Sequence, residues 1–170
     1  DGLVALVIGA GGSARAALYA MHRLGASWIL LNNRPYDKAV ALAEQVPVEW
    51  HVEAISSLAS VGARADHAQL RVVVSNVPAA ATSLSPEQGA DIVLPKELLP
   101  AQSGVAIDMA YGVEHTPLLV LAQMHGWHTV RGIDILLSQA YRQFRLWTQL
   151  PPPCAAIEHE VLPAYAASLP

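Results

Sequence analysis

Six consecutive apolar residues, Leu3 through Ile8, lead without a break into Gly9-Ala10-Gly11-Gly12-Ser13-Ala14-Arg15. A short apolar run with no alternation is a strand buried on both faces, as inside a parallel sheet. Parallel strands need a crossover, and helical periodicity from Ser13 onward supplies one. Gly9, Gly11 and Ala14 fill the slots of the G-x-G-x-x-G/A turn that receives a dinucleotide. The first glycine permits the bend, the second lets backbone approach a pyrophosphate, and the small third residue lets helix and strand pack closely. Phosphates on such a turn sit at free N–H groups and the positive end of the helix dipole, here around Gly12 and Ser13.

The remainder of the chain repeats the alternation. A first helix is predicted over Ser13–Leu24 with Gly25 as its stop, then strands at Trp28–Asn32, Val48–Val52, Arg71–Ser75, Val105–Ala110 and Trp127–Val130. Helices are predicted over Tyr36–Val46, with Pro35 at its first position, and over Thr116–His125. Residues 79–103, interrupted by Pro86, Pro95 and Pro100, read as loop with short helical pieces. Ile133–Thr148 carries Ile133, Leu136, Leu137, Ala140, Tyr141, Phe144 and Trp147 on one helical face, which predicts a buried apolar stripe. The pattern predicts an α/β fold: a doubly wound, mostly parallel Rossmann-type sheet in a three-layer αβα arrangement. Residues 1–150 form the dinucleotide-binding domain in this reading. Residues 151–170, after Pro151-Pro152-Pro153, form a helical C-terminal extension.

Composition narrows the function. A chain of 170 residues that is 53% hydrophobic and 14% charged suits one α/β domain with a buried sheet. A net charge of −4 leaves no electrostatic footprint for nucleic acid. No apolar run reaches the roughly 18 residues of a membrane span, and no signal peptide is visible. The lone Cys154 excludes an internal disulfide and fits a reducing, cytoplasmic compartment. Asp1 stands two residues ahead of the first strand without a methionine, which points to a piece of a longer polypeptide.

The end of the second strand selects the dinucleotide. NAD sites place an acidic residue there to accept from the ribose 2′-hydroxyl. Here the segment is Asn32-Asn33-Arg34-Pro35-Tyr36-Asp37-Lys38. Arg34 offers a planar fork for a phosphate, Asn33 a neutral polar partner and Lys38 a second positive charge one helical turn later. NADP is therefore preferred over NAD. His125 and His128 lack nearby carboxylate or cysteine partners for zinc, and no nucleophile elbow is present.

Several blocks together resemble the nucleotide-binding half of the shikimate and quinate/shikimate dehydrogenases, in the fungal form fused into a pentafunctional aromatic-biosynthesis polypeptide. They are G-A-G-G-S-A-R-A-A from Gly9, Asn33-Arg34, V-V-S-N-V-P from Val73, D-M-A-Y from Asp108 to Tyr111 with T-P-L-L from Thr116, and the Gly132–Thr148 block. The resemblance runs from Gly2 to about Pro153. It implies that Gly9, Gly11, Gly12, Ser13 and Ala14 hold the pyrophosphate, while Asn33, Arg34 and Lys38 hold the 2′-phosphate. It implies that Ser75, Asn76 and Val77 pass the nicotinamide ribose and that Gly132 lines the nicotinamide pocket. It places Tyr111 and Gln139 against the substrate, which is shikimate, 3-dehydroshikimate or quinate.

The same resemblance assigns the proton-handling lysine and aspartate to a separate N-terminal substrate domain. Neither Lys38 nor Lys96 matches that motif, so no catalytic residue is assigned in this chain. Pro35, Ile135, Gly112-Val113 and Gln149 depart from the family pattern. Those departures keep open a second reading, the non-catalytic dehydrogenase-like domain of a fungal quinate-pathway repressor. Such a protein would be nuclear, and its domain would sense a metabolite or bind an activator protein.

Overall fold

The computed structural model describes residues 2–169. Its centre is a six-stranded sheet in the order β3-β2-β1-β4-β7-β8, every neighbouring pair parallel. The strands are β1 (Leu3–Ile8), β2 (Ala26–Asn32), β3 (Val52–Ile55), β4 (Leu70–Ser75), β7 (Val105–Asp108) and β8 (His128–Val130). A separate two-stranded parallel pair, β5 (Thr82–Ser83) with β6 (Ile92–Val93), lies within the segment expected to be loop. Allowing for that pair, the order is the 3-2-1-4-5-6 arrangement of dinucleotide-binding sheets. The strand order reverses between β1 and β4, where Ile8 is in register with Ser75.

Two apolar layers sandwich the sheet. Ala5, Val7, Ile29, Leu31, Val72 and Val74 face one way and pack with Ala14, Leu18 and Met21 of α1 (Gly12–Arg23) and with Ala39 and Leu42 of α2 (Tyr36–Gln45). Val4, Leu6, Ile8, Leu30 and Val73 face the other way, against α3 (Pro117–Met124) and the short turns between β3 and β7. The alternation explains why β1 and the Val72–Val74 stretch of β4 carry only apolar residues. Both faces are core.

Local chemistry adjusts several boundaries. Pro35 precedes α2 as its cap rather than occupying the first helical position. The third strand starts at Val52, later than its predicted Val48, because Val48–Trp50 winds into a single 3-10 turn and His51 adopts φ 49°. The strand β7 ends at Asp108, because the Asp108 carboxylate accepts from the Ala110 amide at 3.0 Å and turns the chain there. The predicted apolar face of α4 (Gly132–Thr148) is buried only at Gly132, Ile133 and Leu137. Leu136 and Trp147 are 44% and 77% exposed, while Ala140, Tyr141 and Phe144 between them are half-buried. Past Pro153, α5 (Cys154–Ser168) buries none of its residues and meets α4 where Tyr141 donates to Glu158 at 2.9 Å. No helix among the described residues is long and apolar enough to cross a membrane.

Candidate functional site

The carboxyl ends of all the sheet's strands open on one edge, the position where α/β sheets bind ligands. The ladder continues past the strands as Gly9 N–H donates to Asn32 C=O and Asn76 N–H to Ile8 C=O, both at 2.7 Å. Gly9 has φ +104°, and a Cβ built there would lie 3.0 Å from Val77 Cγ1 and 3.2 Å from the Asn76 carbonyl. Its glycine is therefore required by the bend and by the approach of the segment after β4.

Gly11 and Gly12 are different. Neither has positive φ, and a Cβ on either would meet nothing within 4 Å. No side chain of this chain demands glycine at those places. What the two glycines leave is open space in front of the first turn of α1, which has no side-chain cap and no acidic residue. Orphan N–H groups facing open room form a fitting cradle for a pyrophosphate. Ser13 is exposed beside them, whereas Ala14 is buried and lets α1 close on the sheet.

The second strand's end separates three residues that sequence reasoning had grouped. Asn33 is buried and committed: its Oδ1 accepts from Ala10 N–H at 2.9 Å, and its Nδ2 donates to the Pro35 carbonyl at 2.7 Å. It braces the glycine turn against the start of α2, and one of its two Nδ2 donors is left over. Arg34 turns to the far side and donates to the Asp91 carbonyl, lining a pocket of about 450 Å³ with Asn32, Ser57 and Asp91. Lys38 instead lines a pocket with Gly11, Gly12 and Arg15, on the α1–α2 side. Arg15 was not among the expected site residues, although the glycine block itself carries it.

Toward the middle of the edge, Ser75 is wholly buried and in register with Asp108. Ser75 Oγ, Asp108 Oδ2 and both amide atoms of Asn76 are buried without a hydrogen-bond partner. Burial pushes the Asp108 carboxyl above the usual carboxylate range, opposed by the Ala110 N–H. Asn76 also lines an apolar groove between α1 and α4 with Ser13, Met109, Ile135 and Gln139. An orphaned amide in an apolar groove suits a partly polar ring such as a nicotinamide. Val77 is half-buried next to it, against Gly9.

Gly132 does not line open space. It is buried, and a Cβ there would fall 2.5 Å from the Ala110 carbonyl oxygen and 2.7 Å from that of Met109. Its bare backbone lets α4 start against the β7 exit. Asp134 fixes that start by accepting from the Arg131 amide at 3.1 Å and pairing with its guanidinium at 3.0 Å. Arg131 in turn holds the Asp134 carboxyl below its ordinary range. Gln139 and Tyr111 are both exposed, Tyr111 at 59%. Gln139 lines the groove between α1 and α4, and Tyr111 stands three residues past the end of β7.

Comparison with known proteins gives a consistent result. Residues 2–111 match the family described as shikimate/quinate 5-dehydrogenase, and residues 132–162 match the shikimate 5′-dehydrogenase C-terminal domain. The chain is 67% identical over 165 residues to the pentafunctional AROM polypeptide of Malassezia globosa, covering 96% of this chain. It is 35% identical to that of Schizosaccharomyces pombe, covering 92% of the chain. In each case it spans about 10% of the relative's length. Among solved structures, the dehydroquinate dehydratase and shikimate dehydrogenase portion of S. pombe AroM superposes with TM-score 0.72 at 31% identity, over 95% of this chain and 30% of that one. Shikimate 5-dehydrogenase of Thermus thermophilus, in complex with NADP(H) and shikimate, superposes with TM-score 0.69 at 31% identity, over 97% and 55% of the two chains. None of these relatives is a repressor, and the regulatory reading gains no support from them.

Proposed function

Because the chain belongs to the shikimate/quinate 5-dehydrogenase family, we propose that it is the NADP-binding part of a shikimate dehydrogenase within a fungal multifunctional polypeptide. The complete enzyme would interconvert 3-dehydroshikimate and shikimate, in the cytoplasm. The observation that carries the reading is the pair Gly11 and Gly12, whose missing side chains clear a space that no part of the chain fills.

A dinucleotide held here would supply the hydride. The chain's own residues bind and orient. N–H groups at Gly12 and Ser13 take the pyrophosphate, with the α1 dipole favouring its charge. Gly9 and Asn33 hold the turn in the required bend. Lys38 on one flank and Arg34 on the other bracket the adenosine end, and neither Asn32 nor Asn33 puts a carboxylate against a 2′-phosphate. The unpaired amide of Asn76 and the side chain of Ile135 would orient the nicotinamide in the groove between α1 and α4. Excluding water there and fixing the ring is a positioning contribution.

Gln139 and Tyr111 supply one wall of the substrate cleft. A carboxamide can both donate to and accept from a polyhydroxylated ring. Proton transfer is assigned to no residue of this chain. The opposing wall and the proton donor are proposed to come from the substrate domain of the same polypeptide, the family's N-terminal partner. Titration calorimetry of the chain with NADP and NAD tests the cofactor assignment: micromolar NADP binding with weaker NAD binding is expected. Absence of NADP binding at millimolar concentration would remove it.

A further inference from the structure

We infer that Asp108 is a positioning residue for the substrate wall: it pins the base of the loop between β7 and α3, and so fixes Tyr111 on that loop and Gln139 on α4. The inference rests on the shikimate dehydrogenase reading above and adds to it a residue that acts only through its neighbours.

The two ends of the loop give the first support. Residues 109–115 form no regular element, and Tyr111, Gly112, Glu114 and His115 are exposed. Asp108 and Thr116, which bound them, are both 0% exposed. Thr116 caps α3, its Oγ1 accepting from Leu119 N–H at 3.4 Å. Asp108 shares a sheet face with Ala106, the side that α3 covers, and accepts from the Ala110 amide at 3.0 Å. Met109 N–H donates to the Ser75 carbonyl at 2.9 Å. Two consecutive amides are thus held, one by β4 and one by the carboxyl, immediately before Tyr111.

What stands on that backbone gives the second. A Cβ at Gly132 would lie 2.5 Å from the Ala110 carbonyl oxygen and 2.7 Å from that of Met109. The first residue of α4 therefore packs on the peptide units that Asp108 orders, and Gln139 follows about two turns along the same helix. A shift of the 109–110 backbone would displace both residues of the wall together.

Energetics give the third. Asp108 Oδ2 is buried without a hydrogen-bond partner, as is Ser75 Oγ in register with it. Burial pushes the carboxyl upward, and among the described residues no cation pairs with it. An apolar side chain of that size would cost the fold less. A local rule broken at a cost marks a functional position.

The test is steady-state shikimate oxidation by the intact polypeptide that carries this chain, with amide hydrogen exchange over residues 109–116. Asp108→Leu keeps the bulk and removes the acceptor. It is expected to raise the shikimate KM about tenfold, to leave the NADP KM within about twofold, and to speed exchange of the loop amides. Asp108→Asn still accepts from Ala110 N–H, and is expected to bring the shikimate KM and the exchange back to within about threefold of the unmodified protein. Asp108→Val, suited to a strand end, is read in the same way where the leucine variant does not fold. A shikimate KM unchanged within about twofold, equal rises in both KM values, unchanged loop exchange, or no rescue by asparagine overturns the inference and leaves the dehydrogenase reading standing. An unmodified polypeptide that does not oxidise shikimate with NADP overturns both.

Discussion

Replacing Gly11 by alanine separates a glycine kept for folding from one kept for a ligand. Gly11 caps α1 with φ −82° and ψ −168°, an extended conformation open to any L-residue. The new methyl would meet nothing within 4 Å. Alanine caps a helix less well than glycine by about 0.5–1 kcal/mol, while restricting the unfolded chain returns about 0.4–1 kcal/mol. The two nearly cancel. Stability is therefore expected to change by no more than about 0.5 kcal/mol, a shift in Tm of about 2 °C or less.

Binding should respond far more strongly. A methyl on Gly11 occupies the room through which a pyrophosphate reaches the N–H groups of α1. Losing one charge-assisted hydrogen bond there costs about 1.5–3 kcal/mol, a ten- to hundredfold rise in the Kd of NADP. Gly9→Ala is the contrast: its φ of +104° and the Val77 contact at 3.0 Å penalise any side chain. Left-handed backbone alone costs about 1–2 kcal/mol there, so Tm falls as well as affinity. Thermal melting and calorimetry on both variants read the two quantities separately. A drop of more than about 5 °C for Gly11→Ala, or NADP affinity within twofold of the unmodified chain, would refute the reasoning.

Gly132→Ala is expected to destabilise by about 1–3 kcal/mol in urea unfolding, because its Cβ would strike the Ala110 and Met109 carbonyls, whereas an unobstructed helical glycine gains from the change. Asp108 is raised by burial, so the native state binds more protons than the unfolded chain and this group's contribution falls as pH rises above about 4. Asp108→Asn, measured by urea midpoints at pH 4 and pH 7, is therefore expected to gain on the unmodified chain toward neutrality. Asp134 is depressed by Arg131, so its contribution is present above about pH 4 and lost as pH falls through its lowered folded value. The Asp134→Asn variant should lose the acid-side part of the pH–stability profile, with a small amplitude because the pair is solvent-screened.

The sheet was legible in the sequence because its strands are buried on both faces. Leu3–Ile8 and Val72–Val74 are apolar throughout, and the parallel order follows from the helices between the strands. Short elements escaped where a single contact decides them. The start of β3 depends on one 3-10 turn, and β5 pairs with β6 across a proline-interrupted segment with no pattern of its own. Helical periodicity on α4 was real, but periodicity identifies an apolar face without identifying what covers it. Here only Gly132, Ile133 and Leu137 are buried, and Trp147 stands clear.

Side-chain direction was the part of the site that the sequence could not carry. Asn33, Arg34 and Lys38 lie within six positions, yet they serve a turn brace, a contact near Asp91 and the glycine-turn pocket respectively. Residue type gave each of them the capacity to meet a phosphate. Only backbone geometry after β2 decides which does: Asn33 is drawn inward to the Ala10 amide, which leaves its neighbour facing away from the glycines. Arg15 illustrates the converse. On sequence alone it is one exposed arginine in a helix, and Gln45, thirty positions away, holds it in the pocket that Lys38 also lines. A strand-to-helix turn is thus legible from local sequence, while the directions of the side chains around it are settled by contacts between elements distant in the chain.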